Sequence, residues 1–136
     1  MNESKQQETL NLRSTMIAIT ATDLQTSLAW YRDVLGFTMA EEYKNEGVVM
    51  GVRMSAGSVQ IMLGQDDFAK GRDRQKGAGL RIFCTTDQDV DQLAAAIKER
   101  GGQLTHEPTD QPWGLRDFAV VDPDGFNISI STEPKS

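Results

Sequence analysis

The chain has 136 residues, 38% of them hydrophobic and 25% charged, with one cysteine and a formal net charge of −6. That balance predicts a single soluble, cytoplasmic domain whose core needs no disulfide or metal to hold it together. It argues against nucleic acid, whose phosphates need clustered Lys and Arg, and against a membrane partner, since no apolar run approaches the roughly 20 residues that span a bilayer and the start MNESKQQE is too polar for a signal peptide.

In chain order, Met16–Thr20 alternates as a strand does and stops at Asp23. Asp23 suits a helix N-cap, because its carboxylate accepts from backbone N–H groups that have no partner in the first turn. Leu24, Leu28, Tyr31 and Leu35 then recur at helical spacing, and Gly36 suits the left-handed residue that ends a helix. Strands are expected at 37–43, 48–54 and 59–64, with turns at Asn45–Gly47 and Ala56–Gly57.

The plan then repeats. Residues 80–85 predict a strand, Asp87 and Asp89 are both capping candidates, and Val90, Leu93, Ala94 and Ile97 form a helical stripe that Gly101–Gly102 ends. Strands follow at 103–106, 115–121 and 127–131. Asp23 and Asp87 are separated by the same interval as Met16 and Leu80, which predicts a duplicated unit. The expectation is therefore an α+β domain of two βαβββ modules, at about 14–64 and 79–132, joined by a polar linker at 65–78. Residues 1–13 and 133–136 are read as tails.

The segments DLQTSLAWYRDVLGF and PWGLRDFAVVDPDGFNISI resemble the signature segments of the glyoxalase, bleomycin-resistance and extradiol-dioxygenase superfamily, also called the vicinal oxygen chelate superfamily. The resemblance covers about residues 14–132. It implies a half-open, curled mixed sheet around a cavity, and a homodimer. Enzymes of that family hold a divalent metal with side chains from four places. In this sequence the four positions map onto Met16, Met62, Leu80 and Ser129, the third provided that TTDQDVDQ carries no insertion. Zinc, iron, nickel and manganese call for imidazole, carboxylate or thiolate, so these residues imply no metal and no cofactor.

The metal-free branch that the sequence most resembles is the bleomycin-resistance type, which sequesters a drug in grooves at a dimer interface. The implied function is binding of a small molecule, amphipathic or cationic, without catalytic residues. The alternative is a lyase, isomerase or dioxygenase of the same fold with an atypical site, in which His106 or Asp117 does acid–base work. Trp113, in Pro112–Trp113–Gly114, either stacks on a ligand or packs as a lid on its own loop. Met50, Met54 and Met62 lie on predicted strands, where each either faces the cavity or fills the core. Phe68 is an apolar residue amid charge, suited to covering a groove, and Asp66–Asp67 beside it suits a cation or a solvated loop. Asp117 points into the cavity or pairs with Arg116 or Arg81. Asp122–Gly125 reads as a type I turn.

Overall fold

A computed structural model of the chain describes residue 7 and residues 9–134; the expected tails extend past it at 1–6, 8 and 135–136, which lie outside the described residues. The first unit runs β1 (Ile17–Ala21), α1 (Leu24–Ala29), β2 (Thr38–Asn45), β3 (Val48–Ala56) and β4 (Val59–Gln65). The second runs β5 (Arg81–Thr86), α2 (Val90–Glu99), β6 (Leu104–Asp110), β7 (Arg116–Val121) and β8 (Asn127–Thr132). Each unit makes a four-stranded mixed sheet, β1-β4-β3-β2 and β5-β8-β7-β6, with its first strand parallel to its last and the other pairs antiparallel. The architecture is α+β, and the two sheets do not close into one barrel.

Local chemistry explains the elements. Asp23 adopts extended backbone and accepts from Gln25 N and Thr26 N. Asp89, rather than Asp87, does the same for α2, accepting from Asp91 N and Gln92 N. After α1 the backbone widens into a π-helical segment, Trp30–Leu35, which Gly36 ends at φ 99°. The β2–β3 turn places both Glu46 (φ 52°) and Gly47 (φ 80°) in the left-handed region, as a two-residue hairpin turn demands.

The helix-bearing sides of both sheets feed one core. The first unit contributes Ile19, Leu24, Leu28, Tyr31, Val52, Met54, Ile61 and Leu63. The second contributes Ile82, Val90, Ala94, Ile97, Phe118, Val120, Phe126 and Ile128. Each such side chain stabilises the fold by about 1.5–3 kcal/mol relative to exposure. Met54 belongs here. It is fully buried and pairs with Ile61 in register, so the pleat turns it to the helices and not to a cavity.

Polar contacts between the units concentrate on one turn. Gly125 N donates to Asp122 O at 3.0 Å, closing the expected turn, and Asp122 Oδ1 accepts from Asp124 N and Phe126 N, each at 2.9 Å. The other oxygen, Asp122 Oδ2, accepts from the buried Tyr31 hydroxyl of the first unit at 2.8 Å. Asp124 reaches the start of α1, accepting from Thr22 N and from Ser27 Oγ at 3.2 Å. Burial, and next the Asp122 charge, raise the Tyr31 phenol far above its ordinary range, so it remains a donor. Burial also raises Asp122, against the opposing pull of its hydrogen bonds from Phe126, Tyr31 and Asp124.

The linker between the units is structured. Asp66 is buried; its Oδ1 accepts from Phe68 N at 2.9 Å and its Oδ2 lies 3.0 Å from Lys76 Nζ. Lys76 Nζ donates to Thr22 Oγ1 at 2.8 Å, tying the linker to the β1–α1 loop. The bond from Phe68 N, followed by Lys76 and Arg74 against the cost of desolvation, holds Asp66 below the usual carboxylate range. Gly77 then lies flat on the Asp122–Gly125 turn, where any Cβ would run into the Gly125 carbonyl.

The Tyr31–Asp122 bond generates a direct test. Tyr31→Phe leaves the aromatic packing intact but deprives a buried carboxylate of a donor, a change that costs about 1–3 kcal/mol. Urea denaturation should find that loss, and Tyr31→Phe should cost much less in an Asp122→Ala background. Equal costs in the two backgrounds would mean that the hydroxyl does not act through Asp122.

Candidate functional site

With the helical sides spent on the core, the opposite faces of the two sheets remain open, and strand register fixes what they display. Across the first sheet one row reads Ala18, Met62, Arg53, Glu41 and the next reads Thr20, Gly64, Gly51, Tyr43. Arg53 Nη2 donates to Glu41 Oε1 at 3.1 Å, and the Tyr43 hydroxyl donates to the same oxygen at 3.2 Å. Gly51 and Gly64 are cross-strand partners, so the second row has a bare backbone floor bounded by the half-exposed Tyr43 ring. Such a floor and wall suit a flat, partly apolar ligand.

Across the second sheet the rows read Phe83, Ser129, Ala119, His106 and then Thr85, Ser131, Asp117, Thr109. Ser129, Ser131 and Ala119 are buried between larger neighbours. Asp117 is also buried, and its Oδ1 accepts from Gln111 Nε2 at 2.8 Å and lies 2.8 Å from His106 Nε2. His106 is therefore half of an Asp–His pair. Neither arginine expected beside Asp117 pairs with it: Arg116 bonds Asp91 and Asp110, and Arg81 donates to Ser129 Oγ.

The ligand candidates scatter. Met62 lies on the open face of the first sheet, and Met16 precedes β1 at 43% exposure. Met50 is half-exposed at the start of β3, outside the paired stretch of β3 with β4. Trp113 sits at the β6–β7 connection, in a turn closed by Gly114 N donating to Gln111 O at 3.0 Å, and is 65% exposed. Its ring lies outside the core. Phe68 has a left-handed backbone (φ 61°), and its ring is covered by the Arg72 guanidinium 4.0 Å from the centroid. That contact satisfies Phe68 within the linker, and Asp66 beside it is committed to Lys76. Glu41, Tyr43 and Arg53 went unnoticed in the sequence, although their period-two spacing opposite the core residues Val52 and Met54 would have placed them on the open face.

The four family metal positions can now be tested on geometry. On β5 the buried Ile82 and half-buried Cys84 and Thr86 take the core side, as Ile17, Ile19 and Ala21 do on β1. The open-face counterpart of Met16 is therefore Arg81, one residue beyond Leu80. The difference follows from the cap, which is Asp89 and not Asp87, and from a β5–α2 loop that is longer than the β1–α1 loop. Leu80 stands ahead of the strand, 42% exposed. Two thioethers, a guanidinium and a hydroxyl offer no negative charge to a divalent cation, and the guanidinium repels it, so the residues present do not fit the metal. No cluster of three His, Cys, Asp or Glu among the described residues could hold one elsewhere.

A cleft of about 840 Å³ runs along β5, the edge strand of its sheet, between Leu35–Phe37 and Ala56–Val59 of the first unit and β5 and α2 of the second, and it meets the open face at Phe83 and Thr85. Phe83, Leu93, Ile97 and Ile130 supply its apolar wall, and Thr85, Asp87, Gln88 and Arg100 a polar one. None of the ligand candidates lines it. Cys84 does, and burial raises its thiol pKa, which keeps it protonated and unreactive. No helix among the described residues is long and apolar enough to cross a membrane.

Comparison with known proteins agrees with this architecture. The sequence profile of the Glyoxalase/Bleomycin resistance protein/Dioxygenase superfamily matches residues 13–130. A bleomycin resistance protein of Geobacillus stearothermophilus is 30% identical over 136 residues, covering 88% of this chain and 96% of the relative. Among solved structures, a superfamily member from Sphaerobacter thermophilus DSM 20745 superposes with a TM-score of 0.72 at 25% identity, covering 90% of this chain and 98% of that one. TioX from Micromonospora sp. ML1 gives 0.73 at 19% identity, covering 90% and 99%, a likeness of fold. The chain belongs to the glyoxalase/bleomycin resistance protein/dioxygenase superfamily.

Proposed function

We propose that this chain binds and sequesters an amphipathic small molecule on the open faces of its sheets, without a metal and as a homodimer. The observation that carries the reading is the donor set: Met16, Met62, Arg81 and Ser129 stand where the superfamily's enzymes hold a cation, and none of the four can serve one. What the open faces offer instead is recognition chemistry, the Tyr43 ring beside Gly51 and Gly64, the thioether of Met62, and the exposed indole of Trp113. A relative named for bleomycin resistance, matched over nearly its whole length, supports the same direction. A second copy supports the site as well as the fold. The edge strand β5, with the cleft beside it, is a surface that a twofold partner would cover, and covering it would wall in the open faces.

One observation favours a second reading, an enzyme without a metal. Asp117, buried and accepting from Gln111, orients His106, and such a pair can move a proton. In that reading His106 is the acid–base group, and Asp117 is a positioning residue.

Three measurements separate these possibilities. Metal-free bleomycin added to the purified protein should raise its melting temperature and change indole fluorescence saturably. Trp113→Ala should then weaken binding several-fold to about tenfold. The internal control is Trp30, packed edge-on to Tyr31 at 4.9 Å, which should not respond. No thermal shift with bleomycin at concentrations well above micromolar would remove that drug as the ligand.

Light scattering should return twice the mass of one chain at micromolar concentration, and a single chain's mass there would end the dimer proposal. The hemithioacetal of methylglyoxal and glutathione, incubated with chelator-treated protein, should show no turnover on the binding reading. Turnover that His106→Ala abolishes would establish the enzyme reading instead.

A further inference from the structure

The net charge is −6, but the carboxylates facing the candidate surfaces are already committed. Glu41 is paired with Arg53, Asp117 with His106 and Gln111, and Asp66 with Lys76. The unspent charge is of the other sign. Arg81 is exposed on the open face of the second sheet and has no carboxylate within ion-pair distance among the described residues. The arginine on the open face of the first sheet, Arg53, is instead neutralised by Glu41.

From this geometry we propose that Arg81 is an oxyanion-binding residue and that it selects an aromatic carboxylate. One arm of the guanidinium, Nη1, donates to Ser129 Oγ, which fixes the group over the sheet and leaves its other N–H donors unspent. A planar fork matches a carboxylate in two parallel hydrogen bonds. Two residues along β5, on the same face, the Phe83 side chain is 50% exposed and supplies a wall for a ring. Beyond them the floor is small, Ser129 and Ala119, as far as His106, three strand spacings or roughly 14 Å from β5. A carboxylate at Arg81 puts the apolar body of such a ligand on Phe83 and along that trough. The duplication gives the placement its meaning. Arg81 occupies the open-face position that answers to Met16, so a fixed protein cation stands where the fold's enzymes place a metal.

The inference rests on the small-molecule reading for its surface, but its test does not depend on a natural ligand. Benzoate and the neutral benzamide are titrated into isotope-labelled protein and followed at the backbone amides of Phe83, Ser129 and Ala119. Benzoate should shift these amides saturably, with benzamide about tenfold weaker. Arg81→Gln should abolish the preference, Arg81→Lys should keep part of it, and Ser129→Ala, which frees the guanidinium from its tether, should weaken benzoate while leaving the preference over benzamide. Identical titrations of benzoate and benzamide, or an unchanged benzoate response in a folded Arg81→Gln protein, would overturn the proposal. Should benzoate bind through Arg81 while bleomycin does not bind at all, the anion site stands and the drug reading falls; the reverse result removes Arg81 alone.

Discussion

A hydroxyl and a carboxylate, both removed from water, join the two halves of this molecule. Tyr31 belongs to the first unit's helical segment and Asp122 to a turn in the second, and the 2.8 Å bond between them lies inside the shared core. A buried carboxylate is unfavourable unless its oxygens are satisfied. Here Oδ1 takes two backbone N–H groups and Oδ2 takes the phenol, so the turn is satisfied only when the first unit is in place. The rest follows from that docking. Asp124 reaches the start of α1, Gly77 can lie against Gly125, and Arg100 Nε of the second unit donates to Val34 O at 2.9 Å.

Using the helical sides to bind the units to each other decides where function can sit. Neither sheet can bury its other face within the chain, and those faces carry side chains that a core would reject. On each sheet an arginine, a carboxylate and an aromatic ring share one surface: Arg53, Glu41 and Tyr43 on the first, Arg81, Asp117 and Phe83 on the second. The groups are not arranged alike. On the first sheet the charges neutralise each other, whereas on the second the carboxylate is buried under His106 and Gln111 and the guanidinium is left open. Duplication preserved the scaffold and let the two surfaces diverge.

The fold was legible in the residues because its signals are local. Asp23 and Gly36 bracket a helix by capping chemistry, Asn45–Gly47 marks a hairpin, and alternation marks the strands, so the elements appeared within a residue or two of their expected places, except that β6 runs on to Asp110 where its end was expected at His106. Period-two alternation, however, reports that a strand has two faces and not which face is buried. Met54 illustrates this: only the packing of α1 on that side of β3 assigned it to the core. The third metal position failed for a related reason. Counting back along the chain from Asp87, when the cap is Asp89 and the loop before it is longer than its counterpart, lands one residue early and on the other face, at Leu80 where Arg81 stands.

By itself, then, the sequence determined the α+β class and the plan of two like units, since these depend on residue types and spacings along the chain. Tertiary structure alone decided which side chains meet. His106 and Asp117 are far enough apart in sequence that nothing in THEP or LRDF announces their bond; antiparallel pairing of β6 with β7 creates it. The same holds for the Asp122–Gly125 turn, legible as a turn from Pro and Gly, whose role in joining the units required Tyr31 to arrive from 91 residues away. Contacts between distant segments are fixed by register and burial, and neither is written in a single stretch of chain.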